Sequence, residues 1–188
     1  MVANLDESKH WTYRDYLQLG DDKRYEILAG ELRDMTPAPS VSHQWCSRNL
    51  EFCFLEYARA HQWGYVFDAP IDVILCEDNV VQPDIVLVSE ARKEIIQERG
   101  IFGTPDLVVE IVSPSSVHYD YLVKKNLYEK FEVKEYWIVD PANRTVEVLG
   151  LEEGKYKSVC FACVSGTAHS ALLSDFQITL EELFSQGM

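Results

Sequence analysis

The sequence predicts a mixed α/β fold, a central sheet with helices packed against it. Three observations carry that prediction. Short apolar runs such as Ile85-Val-Leu-Val88, Leu107-Val-Val109 and Tyr136-Trp-Ile-Val139 lack polar alternation and read as strands buried on both faces. From Ser42 to His61, by contrast, Trp45, Leu50, Cys53, Phe54, Tyr57 and Ala58 recur at helical spacing and form one broad stripe. A second helix is expected from the Ser113-Pro-Ser-Ser116 caps to about Phe131, with Tyr121, Lys124, Tyr128 and Phe131 on one face and Lys125 pointing elsewhere.

The remaining elements follow in order. Ser8 to Leu19 carries a short helix signal with a Thr12/Asp15 capping box, stopped by Gly20-Asp-Asp22. Tyr25 to Leu28 and Glu31 to Met35 read as a hairpin around Ala29-Gly30, an ornament on the main domain, and Thr36-Pro-Ala-Pro39 breaks the pattern. After the long helix come a strand at Tyr65 to Leu75 kinked by Pro70, a turn at 77–79, one strand over Val80 to Ser89, and a polar helical segment to Arg99. Beyond Phe131, Glu135 to Asp140 is a buried strand, paired with Thr145 to Leu149. A strand at Tyr156 to Val164 and a short helix opened by a Thr179/Glu182 capping box complete the chain.

With 188 residues, 47% of them hydrophobic and 12% aromatic, the chain can bury a sizeable core. One domain is expected over residues 1–188, with a core of about 42–141 and additions at 1–41 and 142–188, the latter a C-terminal β extension. No apolar run reaches membrane-span length, and the N-terminal residues do not look like a signal peptide, so the expected location is cytoplasmic. The five cysteines show no disulfide framework. Cys160-Phe-Ala-Cys163 has CxxC spacing but no second pair, and on a strand its two side chains face opposite ways. A net charge of −14 argues against broad attraction to nucleic acid, yet leaves room for a local, metal-assisted site.

Glu110 is the anomaly. It is a carboxylate inside the run Leu107 to Val112, where an unpaired charge costs several kcal/mol unless it finds a cation, donors, a proton or water. Asp84 heads the neighbouring apolar run, so two such strands side by side would converge two carboxylates. Hydrolysis of a phosphodiester needs charge neutralised on the phosphate and a water delivered in line, which a divalent metal on two acids provides. Mg²⁺ accepts such a site because it prefers oxygen and keeps several waters.

Taken together, Arg24 to Leu32, His43-Gln44, Val81-Gln-Pro-Asp84, Pro105 to Ser115, the Asp120 to Tyr128 segment and Val133 to Pro141 resemble the Uma-two family of restriction-endonuclease-like proteins, within the PD-(D/E)XK nuclease superfamily. The resemblance spans roughly Thr12 to Lys157. It implies a restriction-endonuclease-like fold, a Mg²⁺-dependent endonuclease for which Mn²⁺ can substitute, DNA as substrate, and a homodimer. It also implies Asp84 and Glu110 as metal ligands, joined by the Ile111 backbone carbonyl. The sequence departs from the superfamily at the lysine two residues beyond the glutamate, where Val112 stands; a lysine reaching the same spot from the following helix would replace it, and Lys124, on the inward face, is the candidate, with Lys125 in reserve.

Other readings stand beside these. Glu110 could be a buried glutamate held by an amide or arginine, Asp84 a turn cap, and Lys124 a snorkelling core lysine. Glu31, ahead of Glu26, is a candidate third acid, although hairpin acids are usually solvated. His43 at a helix start is a further candidate or a cap. Asp120, one turn before Lys124, joins the site or pairs with that lysine. The rival to an enzyme is a nuclease-fold interaction module or dimeric scaffold without turnover, favoured by Val112 and the acidic charge. A hydrolase of small phosphoesters is a weaker one.

Overall fold

The computed structural model describes residues 9–19, 23–35 and 38–186. Ser8, the stop at 20–22 and Thr36-Pro37 lie outside them. Helix α1 (Tyr13–Tyr16) is closed by its capping box, with Asp15 N–H donating to Thr12 Oγ1 at 3.3 Å and Thr12 N–H to Asp15 Oδ2 at 3.0 Å. The hairpin of β1 (Tyr25–Leu28) and β2 (Glu31–Asp34) turns through Ala29 and Gly30 at φ of 52° and 81°. Two left-handed residues in succession match the twist of a tight hairpin, and the second is the glycine such a turn favours. Helix α2 (Val41–His61) is capped by Ser40, whose hydroxyl accepts from His43 N–H.

The next stretch departs from its predicted outline. The single kinked strand at 65–75 is two strands in different sheets, β3 (Gly64–Asp68) and β4 (Val73–Cys76), separated at the cis Ala69–Pro70 bond. The strand at 80–89 likewise splits into β5 (Asn79–Val81) and β6 (Ile85–Ser89). Proline lacks the N–H that a continuing ladder requires, so Pro70 and Pro83 are where the chain can change sheets. The polar segment after Ser89 makes two short 3₁₀ turns within Glu90–Ile95, kinked at Arg92, that bury no residue, and then β7 (Ile96–Gln97) and β8 (Gly100–Phe102). Without an apolar face there was nothing to hold a longer helix.

Strand β9 (Leu107–Ile111) leads to a helix that begins as a π-helical segment, Tyr119–Lys124, and continues as α3 (Lys125–Lys130). Strands β10 (Glu135–Asp140), β11 (Thr145–Glu152) and β12 (Lys155–Cys163) follow, then the small pair β13 (Thr167–His169) and β14 (Gln177–Thr179), and helix α4 (Leu180–Leu183). All five cysteines are free thiols. Among the described residues no helix is long and apolar enough to cross a membrane.

Two six-stranded mixed sheets result, ordered β2-β1-β5-β4-β8-β7 and β12-β11-β10-β9-β6-β3. In the second, β9 and β10 are parallel, joined by the 119–130 helix as crossover. Its one face, with Leu87, Leu107, Val109 and Trp137, packs on Leu50 and Phe54 of α2; its other, with Val86, Val108, Tyr136 and Ile138, packs on Tyr128 and on Leu28, Val73 and Val81 of the first sheet. Burial on both faces is why these strands show no alternation, at about 1.5–3 kcal/mol for each fully buried aliphatic side chain. The hairpin is no ornament, because β1 lies inside the first sheet, paired with β5 at Ile27 and Val80.

Asp106, buried just before β9, ties the base of that strand to β6: it accepts from Ser89 N–H at 2.8 Å and pairs with Lys134 at 2.6 Å. Burial acts to raise its pKa, but the Lys134 ammonium and the Ser89 amide outweigh it and hold the carboxyl below its ordinary 3.8. A depressed folded-state pKa contributes stability that is present above the unfolded value and lost as pH falls through the folded one. Asp106→Asn is therefore expected to flatten the acid limb of the stability profile below about pH 4. Urea titrations at stepped pH measure this, and an unchanged acid limb would contradict it.

Candidate active site

Five elements bring their polar residues together where the two sheets meet. Lys124, 3% exposed, projects from the last residue of the π-helical segment into the gap between sheets. Its Nζ lies 2.6 Å from Glu26 Oε1 of β1 and 2.9 Å from Glu110 Oε1 of β9. Tyr128, one turn on, donates its hydroxyl to the same Glu110 oxygen at 2.6 Å. The Gln82 backbone N–H donates to Glu26 Oε1 at 3.1 Å. Both glutamates are thus oriented through one oxygen each. Glu26 Oε2 is buried without a hydrogen-bond partner, 3.8 Å from the Arg33 guanidinium, which itself stacks on Tyr119.

Asp84 sits at the crossing between sheets. Its Oδ2 accepts from Ile111 N–H at 2.7 Å, while its main chain bridges β9 and the β3 exit, N–H donating to the Val109 carbonyl and C=O accepting from Ala69. The ladder of β6 with β9 starts at Ile85, so Asp84 is left to serve the next amide with its side chain. His43 Nε2, from the first turn of α2, lies 3.3 Å from Asp84 Oδ1. Burial lowers the histidine pKa, yet Asp84, the charge of Asp120 and the Ile111 carbonyl together lift it above its ordinary value.

Electrostatically the cluster has more acid than base. Glu26, Asp84, Glu110 and Asp120 face Lys124 and His43. Burial, with the charges of Asp120, Glu26 and Asp84, pushes Glu110 well above its ordinary range despite Lys124. Asp120 is raised by burial too, against the pull of Lys124 and Ser116. Lys124 moves up in the opposite sense for a cation: burial disfavours its charge, but Glu110 and Glu26 more than restore it. The lysine is therefore held protonated, a donor and a fixed positive charge, and not a proton acceptor.

Of the residues singled out in the sequence, Asp84, Glu110, Lys124, His43 and Asp120 meet here, and Ile111 supplies its amide and carbonyl to the same corner. Lys125 is only half-buried and follows on the next helical position. Glu31 does not join them. It is exposed on β2, the outer strand, whereas Glu26 on the inner strand β1 is fully buried. The third acid is Glu26, and the signal that exposed Glu110, a carboxylate inside an apolar run, is present in Tyr25-Glu-Ile-Leu28 as well. Tyr128, counted in the sequence as core, and Arg33 are the other additions.

The donor set suits a hard divalent cation: carboxylate and carbonyl oxygens, an excess of negative charge, and an unpartnered buried carboxylate oxygen on Glu26. Asp84, with its side chain 17% exposed, is the least buried of the four acids. Among the described residues no three His, Cys, Asp or Glu side chains form a group that could hold a metal by themselves. Mg²⁺ needs fewer, since two acids, a carbonyl and its own waters complete an octahedron.

A family model described as "Uma2: Putative restriction endonuclease" matches residues 12–181. A crystal structure described as "a putative nuclease belonging to DUF820 from Anabaena variabilis" superposes with a TM-score of 0.73 at 17% identity, covering 92% of this chain and 97% of that one. At that identity the likeness is one of fold. No curated protein matches the chain.

Proposed function

Because the chain belongs to the family described as "Uma2: Putative restriction endonuclease", we propose that it is a Mg²⁺-dependent endonuclease of the PD-(D/E)XK type, hydrolysing phosphodiester bonds in DNA. The observation that carries the proposal is the convergence of Glu110 and Glu26 on Lys124 in a buried, net-acidic cluster whose least buried acid is Asp84. Asp84, Glu110 and the Ile111 carbonyl would hold the ion, which when bound would offset charge on the phosphate and acidify a water.

The protein's own groups have separable tasks. Lys124, kept charged by Glu26 and Glu110, directs its ammonium at a water or a non-bridging phosphate oxygen and stabilises negative charge as it develops. Tyr128 fixes the rotamer of Glu110 by its 2.6 Å bond, leaving Oε2 as the oxygen for the ion. His43 and the Ile111 amide hold Asp84 from two sides. The place vacated by the usual lysine is filled by Val112, buried in the apolar layer with Val108 and Tyr136. The lysine function thus moves from strand to helix without leaving the cluster, which supports the enzyme over the inactive scaffold.

Purified protein is expected to nick or cut DNA with Mg²⁺ or Mn²⁺. Asp84→Asn should lower the rate by at least about 10²-fold and abolish specific Mn²⁺ binding in calorimetry. Glu110→Ala that cuts as fast as the unchanged protein would mean a contaminant, and would end the proposal. A homodimer belongs to the same reading, and sedimentation as a monomer at cutting concentrations would remove that part alone.

A further inference from the structure

Gln82 looks two ways. Its backbone N–H holds Glu26 in the acid cluster, while its side chain lines a separate cavity of about 400 Å³ between α1, the 67–72 segment and the β7–β8 hairpin. Tyr16, Phe67, Ile71, Asp72, Glu98 and Arg99 are among the other residues of its wall. Inside it, Gln82 Nε2 donates to Asp72 Oδ1 at 2.8 Å and to the Tyr16 hydroxyl oxygen at 3.3 Å, and the Tyr16 hydroxyl donates to Asp72 Oδ1 at 3.2 Å. The Gln82 amide and the Tyr16 hydroxyl thereby both donate to the same carboxylate oxygen of Asp72. Gln82 is 6% exposed and its Oε1 is buried with no partner. Asp72 Oδ2 accepts no hydrogen bond among the described residues, and burial raises the pKa of this carboxyl despite its two donors. A buried amide acceptor and a half-satisfied carboxylate side by side call for a ligand with adjacent N–H groups.

Aromatic rings in the same wall call for a flat one. Phe67 and Tyr16 offer π surface, and the exposed Arg99 at the rim offers paired donors. Guanine meets all three demands: its N1–H and N2–H₂ suit Asp72 and Gln82, and its O6 and N7 suit an arginine. Adenine and cytosine would turn a ring acceptor toward the carboxylate, and thymine brings a single N–H between two carbonyls. The cavity also adjoins the acid cluster. Ala69, in the chain between the lining residues Phe67 and Pro70, donates its N–H to the Asp84 carbonyl at 3.0 Å, and Gln82 is two residues from Asp84. We propose that this cavity receives a guanine base of the DNA, next to the phosphate that is cut, so that Asp72 and Gln82 set a sequence or base preference. The inference rests on the nuclease reading for its DNA, though not for the base it selects.

The test uses the full chain and the four deoxynucleosides, which lack phosphate and so do not report on a metal site. NMR titration should show deoxyguanosine binding at least about tenfold tighter than the other three, with that preference lost in the isosteric Asp72→Asn and all stacking weakened in Phe67→Ala. Thermal melts of each variant confirm that it is folded, and Glu110→Gln should bind deoxyguanosine as the unchanged protein does. No binding, or equal binding of all four, overturns the inference. DNA cutting without deoxyguanosine selectivity would overturn the pocket and leave the nuclease standing, whereas selectivity without any cutting would retain a guanine site and overturn the nuclease.

Discussion

Lys124→Met is expected to stop DNA cutting, with a loss of about 10²–10³-fold or more, and at the same time to cost roughly 3–5 kcal/mol of stability at neutral pH. Both effects come from one geometry. The ammonium is the shared partner of Glu26 and Glu110, 2.6 and 2.9 Å away, and all three groups are buried. Methionine fills similar volume but leaves two carboxylates facing each other in a low-dielectric gap. They escape the penalty only by taking up protons or ions, so the deficit has a definite pH dependence. Glutamates whose folded-state pKa is raised bind more protons folded than unfolded, and stability then falls as pH rises through that interval. The variant should accordingly recover toward the unchanged protein on acidification and be worst at high pH. Lys124→Arg is no rescue, because a planar fork does not fit where a compact ammonium is 3% exposed. Denaturant titration and plasmid cutting, run on the same samples, separate the two outcomes. A variant that folds and cuts normally would remove Lys124 from the mechanism.

Glu135→Ala should be the most damaging change away from the cluster, at about 3 kcal/mol or more, while leaving the chemistry of surviving folded molecules intact. Its carboxylate takes four donors: Trp137 Nε1 at 2.7 Å, the Ser170 hydroxyl at 2.6 Å, and the backbone N–H groups of Ala171 and Leu172 at 2.7 and 2.9 Å. Alanine strands them. The loop amides can turn to water, but the indole N–H of fully buried Trp137 cannot, and each unsatisfied buried donor costs about 1–3 kcal/mol. The loop so released precedes Leu173 and Phe176, which pack against the α2 face of the sheet, so loosening spreads into that layer. Activity is spared because Glu135 pairs with Leu107 at the opposite end of β9 from Ile111. A shifted urea midpoint with an unchanged cutting rate at low temperature is the expected pair of results. An unshifted midpoint would show that the four bonds contribute nothing net.

Much of this was legible without coordinates, for identifiable reasons. Periodicity gave α2 within a residue, because twenty residues of 3.6-fold repetition admit one interpretation. The strands β9 and β10 were legible as short apolar runs without alternation, and both terminal capping boxes by their three-residue spacing. Asp84 and Glu110 stood out because a carboxylate among aliphatics requires an explanation whatever the fold. Lys124 was found from the resemblance and from its helical phase with Tyr128.

What the sequence by itself determined, then, is an α/β chain with two acids on neighbouring core strands and a helical lysine directed inward. Local rules suffice for that much, since period, caps and burial are properties of short windows. Tertiary structure alone decided which hairpin acid enters the cluster, where the strands at Pro70 and Pro83 cross between sheets, and that the helix carrying Lys124 opens as a π-helical segment. Glu26 and Glu31 are five positions apart in one hairpin. Only the pairing of Ile27 with Val80, across more than fifty residues of chain, buries β1 and leaves β2 outside. Such a choice is fixed by the summed burial of two packed sheets, and no window short enough to read by pattern contains it.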